Sequence, residues 1–107
     1  MTLIFSMSIF DKNYYTYILA NKKHTVFYVG VTNSLIRRLE EHRTSTDPRS
    51  FASKYRCTKL IYFENGSSVI GAIAREKEIK SWRREKKIWL INSLNPEWRN
   101  LSEDFVG

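Results

Sequence analysis

Residues 14–31 read YYTYILANKKHTVFYVGV, and the fold follows from how this stretch divides. Residues 14–20 are aromatic and β-branched, as a strand requires. Residues 21–24, Asn-Lys-Lys-His, are short and polar, and residues 26–31 return to strand composition. The spacing predicts a β-hairpin. If its loop is even-numbered, either Lys22-Lys23 or residues 21–24, then Tyr17 and Tyr28 stand directly opposite and share one face of the sheet. Taken alone, such a pair is accounted for by aromatic packing between two strands.

Working outward, Thr32-Asn33 offers a helix N-cap, and residues 34–43 (SLIRRLEEHR) carry helical spacing. Residues 44–53 are rich in Ser, Thr and Pro and read as a loop. Residues 58–64 (TKLIYFE) form a third strand and 65–68 a turn into a helix over 69–82. Another helix is predicted over 84–94, stopped by Asn95-Pro96. The tail, 97–107, carries Trp98 and Phe105 and is expected to pack back on the body. The order β-β-α-β-α-α predicts a single α+β domain over 14–107: a small, mainly antiparallel three-stranded sheet flanked by about three helices. Residues 1–13 read as a loose, apolar leader. They lack the basic start and small-residue cleavage site of a signal peptide.

The chain of 107 residues suits one domain with a core of its own. Cys57 is its one cysteine, so no intramolecular disulfide can form. With only Cys57, His24 and His42 available, the inventory is too small for a structural zinc site. No apolar run is long enough to span a bilayer. A reducing, cytoplasmic setting is the expectation. Eighteen Lys and Arg against eleven Asp and Glu give a net charge of +7, a field that attracts phosphate backbones.

Helical periodicity sorts the polar side chains. With Leu35 at the centre of the apolar stripe of the first helix, Arg38 and His42 stack on its rim, one turn apart. A snorkelling arginine beside a satisfied histidine would look the same. On the helix over 69–82, Glu76 falls within about 20° of Val69 and is flanked by Ala72, Ile73 and Ile79. Glu78 faces water. A carboxylate on a core face needs a partner: a metal ion, a buried cation, or simply Lys80 at i+4. Arg75, Lys77, Lys80, Arg83, Arg84, Lys86 and Lys87 form a basic run with Trp82 and Trp89 interleaved. That pattern fits a phosphate-tracking surface or a solvated face. Ile88, Ile91 and Leu94 read as the packing side of the last helix.

Taken in order, these residues resemble the GIY-YIG nuclease superfamily. The similarity lies in Tyr17-Ile18 and Tyr28-Val29-Gly30 on the two strands, then Arg38, His42, Glu76 and Asn95-Pro96-Glu97-Trp98-Arg99-Asn100. It covers most of the chain and is strongest to the small stand-alone, URI-type bacterial endonucleases. The first triplet, Thr16-Tyr17-Ile18, departs from the pattern in lacking its glycine. The late asparagine of the family could fall on Asn100 or Asn95, and Asn100 is preferred.

The resemblance implies a DNA endonuclease, acting in repair or recombination, with one divalent ion, Mg²⁺ or Mn²⁺, held by Glu76. It implies Tyr17, Tyr28, Arg38, His42, Glu76 and Asn100 as catalytic residues. Arg38 would clamp a phosphate oxygen. The tyrosines would orient or deprotonate the attacking water, with His42 as a second base or as a support for Tyr17. DNA is the expected partner, and Lys80, Arg83, Arg84 and Lys87 are the expected DNA contacts. The alternative is a binding module that does not cut, or a subunit of a larger DNA-processing complex. A third reading is a structural protein with a solvated basic face.

Overall fold

Strand β1 spans Tyr14–Ala20, β2 Phe27–Thr32 and β3 Lys59–Gly66, in a computed structural model that describes residues 13–44 and 50–105. β1 lies in the middle, antiparallel to both neighbours. The helices are α1 (Leu35–Thr44), α2 (Phe51–Lys54), α3 (Val69–Ser81) and α4 (Arg84–Leu94), followed by a 3₁₀ turn over Leu101–Phe105. The expected α+β architecture with its three-stranded antiparallel sheet is present. Apart from Asn13, the leader expected over 1–13 lies outside the described residues.

Alternation along β1 builds two cores. Tyr17 and Leu19 point to one face, where Leu35, Ala52, Cys57, Leu60 and Leu101 pack. Ile18 and Ala20 point to the other, against Val29, Ile61, Ile79, Leu90 and Ile91. Helices α1 and α2 and the 3₁₀ turn therefore cover the first face, and α3 and α4 the second. The buried Thr16 ties α3 down by donating from Oγ1 to the Ala72 carbonyl at 3.2 Å.

The hairpin register differs from the expected one. Tyr17 pairs with Gly30, and Tyr28 with Leu19. The loop is longer because Asn21 organises it, its Oδ1 accepting from the backbone N–H groups of Thr25 (2.8 Å) and Val26 (3.1 Å). His24 takes the left-handed conformation, at φ 59°. The shift is two residues, so both tyrosines keep the same face. They are diagonal neighbours rather than directly opposed, with ring centroids 6.2 Å apart.

Other boundaries moved for local reasons. Ser34 precedes α1 and its Oγ accepts from the Arg37 N–H (3.4 Å), the role expected of Thr32-Asn33. Part of the loop expected over 44–53 is helical, because Ser50 caps α2 by accepting from the Ser53 N–H. Asn65 and Gly66 extend β3, paired with Tyr15 and Tyr14, instead of turning. Ser68 caps α3. On α4 the buried pair is Leu90 and Ile91, while Leu94 is exposed. Trp98 packs back as expected, against Phe27 and His24.

The pairing of Tyr17 with Gly30 is a close fit. A Cβ at Gly30 would stand 2.5 Å from the Tyr17 hydroxyl oxygen, and the Tyr17 ring is wholly buried with no room to retreat. Gly66, on β3, has open space at the same point. Gly30→Ala should cost about 1–3 kcal/mol through overpacking, whereas Gly66→Ala should be near neutral, both read from thermal denaturation midpoints.

Candidate active site

The core of the site is a buried phenol. Tyr17 sits in the central strand with its ring inside the first-face core, so its hydroxyl must find partners there. Helix α1 supplies them. It begins immediately after β2, which brings its inner face over β1. His42 is buried, and its Nε2 lies 3.0 Å from the Tyr17 hydroxyl. Arg38, one turn earlier, donates from Nε to the same oxygen at 3.3 Å. Tyr28 is half-buried, its ring 5.1 Å from the His42 ring. Four of the residues singled out from sequence, Tyr17, Tyr28, Arg38 and His42, are thus in one place.

Donor counting fixes the direction of one of these two bonds. Arg38 can only donate, so the Tyr17 oxygen accepts from it. The hydroxyl keeps its own proton and further acceptor capacity, so it pairs with His42 Nε2 as donor or as acceptor according to the imidazole tautomer. Burial, opposed by the Arg38 hydrogen bond, pushes the Tyr17 phenol up to about 12. Burial, then the nearby Arg38 charge, pushes His42 below its ordinary 6.5. A neutral imidazole facing a protonated phenol is the state that both shifts favour. Arg38 also pairs with Glu41 at 2.9 Å and keeps part of its guanidinium exposed.

Glu76 lies elsewhere. Its carboxylate takes the Lys80 ammonium at 2.6 Å, and its side chain is only 14% exposed. Helix α3 packs on the sheet face opposite Tyr17. The two sides approach at the β2 edge, where a groove of about 340 Å³ has Arg38, Asn33 and Thr32 on one wall and Val69 and Ile73 on the other. Glu76 lies one turn beyond Ile73 on the same side of α3. Among the described residues, no group of three or more His, Cys, Asp or Glu could hold a metal ion.

Both late asparagines serve the backbone. The buried Asn95 donates from Nδ2 to the Ile61 (3.0 Å) and Arg99 (2.9 Å) carbonyls and accepts from the Arg99 N–H. Asn100 Oδ1 accepts from the N–H groups of Leu60 (3.2 Å) and Ser102 (3.1 Å) and from the Ser102 hydroxyl.

The expected DNA contacts divide. Lys80 is held by Glu76. Arg84 is bound to the hairpin loop, donating to the carbonyls of Thr25 (3.2 Å) and His24 (2.5 Å) and lying 4.2 Å over the Phe27 ring. Arg83 and Lys87 have no ion pair among the described residues. Trp82 is occupied by Lys86 and Arg75 over its ring, while Trp89 is exposed. The sequence reading missed Phe51, whose ring stacks beside Tyr28 at 6.2 Å and meets Tyr55 at 4.8 Å. Its signal was present: Phe51 and Tyr55 are four residues apart, the spacing of neighbours on one helix face.

The family model for the GIY-YIG catalytic domain matches residues 13–89. The chain belongs to the GIY-YIG family. Among relatives of this GIY-YIG protein, a UPF0213 protein of Syntrophus aciditrophicus is 36% identical over 87 residues, covering 81% of this chain and 97% of the relative. A UPF0213 protein of Clostridium perfringens is 31% identical, covering 84% of this chain and 95% of the relative. The solution NMR structure of a UPF0213 protein from Bacillus halodurans superposes with a TM-score of 0.53 at 26% identity, covering 85% of this chain and 95% of that one. Among the described residues no helix is long and apolar enough to cross a membrane.

His42 makes stability depend on pH with a fixed sign. Its folded pKa is depressed, so above about 6.5 both folded and unfolded states are neutral and the Tyr17 bond contributes fully. Below that value the unfolded chain binds a proton first, and stability falls as pH drops toward the folded pKa. The midpoint of thermal unfolding should therefore fall between pH 7 and pH 5. His24, also depressed by burial and then by Lys59, acts in the same direction. His42→Gln should remove only its own share of the slope, measured by calorimetry across that range.

Proposed function

We propose that this GIY-YIG protein is a divalent-metal-dependent DNA endonuclease that hydrolyses phosphodiester bonds, in repair or recombination. The observation that carries this reading is the hydrogen-bonded line from Arg38 through Tyr17 to His42, beside the half-buried Tyr28, in a chain of net charge +7.

The roles follow from exposure. Tyr17 is fully buried, so it positions Arg38 and His42 rather than meeting water itself. Tyr28 is accessible and can orient a water beside the neutral His42 ring. The Nε2 of that ring faces the Tyr17 hydroxyl, so the ring serves as a support for Tyr17, or as a base through Nδ1 in the tautomer that carries the proton on Nε2. Arg38 keeps guanidinium N–H groups beyond those used on Tyr17 and Glu41, and these can hold a nonbridging phosphate oxygen.

Glu76 is the residue that would hold one Mg²⁺ or Mn²⁺ ion. Its donor is a single hard oxygen group, which suits an ion that keeps most of its waters and not zinc, which takes three or four protein ligands. When bound, such an ion supplies positive charge against the phosphate and the departing 3′ oxygen.

A second reading, a DNA-binding module that does not cut, is favoured by one observation. Glu76 is already paired with Lys80, on the helix across the sheet from the tyrosines. Nicking of supercoiled plasmid decides between the two. An endonuclease should nick with Mg²⁺ or Mn²⁺ and not with chelator. Arg38→Ala should lose ~100-fold or more, the usual loss for one donor to a developing negative charge. Glu76→Ala should abolish nicking with the fold intact by circular dichroism. Salt-dependent DNA binding without nicking under every metal would establish the binding module.

A further inference from the structure

Beside the tyrosines, α2 presents exposed aromatic rings in sequence. Tyr28 stacks beside Phe51 with an interplanar angle of 28°, and Phe51 meets Tyr55. Phe51 is 47% and Tyr55 41% exposed, so both offer ring area to solvent. Lys54 lies 5.4 Å over the Tyr55 ring. Past Tyr55 the surface opens into a groove of about 610 Å³ lined by Lys22, Lys23, Tyr55, Arg56, Lys59 and Asn100. Among the described residues, no acidic side chain lines it. Among the described residues, Lys22, Lys23 and Arg56 have no ion pair.

The end of α2 adds a second observation. The Arg56 N–H donates to the Ser53 carbonyl and the Cys57 N–H to the Ala52 carbonyl, at 3.2 and 2.8 Å, and Arg56 has φ 57°. This is a Schellman ending, with buried Ala52 and Cys57 in hydrophobic contact. Its left-handed residue is ordinarily glycine, which adopts that conformation without strain. An arginine stands there at a conformational cost, and its charge enters the basic groove. Asn100 also lines the groove. Its Oδ1 is committed to two backbone N–H groups, which can only donate, so the amide orientation is set and Nδ2 is the end left to bind.

We propose that Phe51 and Tyr55 form a stacking ledge for unpaired bases, and that the basic groove beyond them carries the backbone of the same single DNA strand away from the tyrosine site. The proposal rests on the DNA-cleaving reading and adds the substrate class: DNA with a single-stranded segment next to the cut. A duplex hides the faces of its bases, so it cannot use rings exposed in this way. An unpaired strand stacks its bases on aromatic rings while lysines and arginines follow its phosphates. The path runs over the hairpin loop and α2, not over α3 and α4 where the basic run of the sequence lies.

The test measures binding in chelator, so that it does not depend on cleavage. Fluorescence anisotropy would compare a labelled 15-nucleotide poly(dT) with a 15-base-pair blunt duplex at several salt concentrations. The full chain should prefer the single strand. Tyr55→Ala should weaken single-strand binding ~10-fold, within the usual range for loss of one stacked base, and Tyr55→Phe should restore it. Lys22→Ala and Lys23→Ala should each make the salt dependence shallower by about 0.7, the single-strand value per phosphate contact. Arg56→Gly should bind more weakly while its melting midpoint stays level or rises, an outcome no purely structural role would give. Equal affinity for the two DNAs, or a Tyr55→Ala protein that binds as the parent does, would overturn the proposal. So would loss of single-strand binding in Arg83→Ala and Lys87→Ala alone. Plasmid nicking separates the two claims. Metal-dependent nicking without a single-strand preference would sink the ledge and leave the endonuclease standing. A Tyr55-dependent preference with no metal-dependent cleavage of either the plasmid or a duplex carrying a single-stranded flap would do the reverse.

Discussion

The structure depends on keeping one phenol satisfied inside the sheet. Tyr17 occupies the central strand, covered on both faces and paired on both sides, where an unbonded hydroxyl would cost about 1–3 kcal/mol. Three neighbours make the position tenable. Gly30, directly across the ladder, leaves space where any Cβ would collide. Arg38 and His42 then meet the oxygen from above, Arg38 donating from Nε and His42 bonding through Nε2. The last two come from adjacent turns of α1, which can reach them only because the helix starts directly after the strand that holds Gly30. The second triplet and the first helix act as one unit around the first tyrosine.

That unit gives the sheet two unlike sides. On one lie Tyr17, Tyr28, His42 and the exposed rings of α2, leading to the basic groove. On the other, α3 and α4 bury Ile79, Leu90 and Ile91 in an apolar core, with Glu76 held by Lys80 at its margin. The two sides approach one another at the edge of β2, where Arg38 shares a groove with Val69 and Ile73. An edge strand is the one place where helices on opposite faces can contribute to a common surface, and Arg38 stands there as the bridge.

The basic charge is distributed by the same logic. The run of lysines and arginines through α3 and α4 is largely spent on structure: Lys80 on Glu76, Arg75 on Glu64 and Glu78, Arg84 on the hairpin loop. Among the described residues, the basic side chains without ion pairs that line the groove past Tyr55 come from separate pieces of chain, Lys22 and Lys23 from the hairpin, Arg56 from the end of α2 and Lys59 from β3. No single segment of the sequence contains that groove, so no run of residues advertises it.

Local pattern was enough for the strands and helices, because alternation and helical period are properties of neighbouring residues. It placed Tyr17 and Tyr28 on one face, and Arg38 and His42 on one helix stripe, and both placements hold. It put Glu76 in an apolar stripe, and that side chain is indeed nearly covered. The sequence by itself determined these faces, since a period of 2 or 3.6 assigns a side to every residue. Only the tertiary structure decided which partner each side chain meets. The register depended on Asn21 closing a longer loop, the Glu76 partner on Lys80 competing with any other cation, and the aromatic ledge on α2 folding down beside β2. Each of these is a contact between residues distant in sequence or a choice among nearby ones, and its energy exists only once the chain has closed.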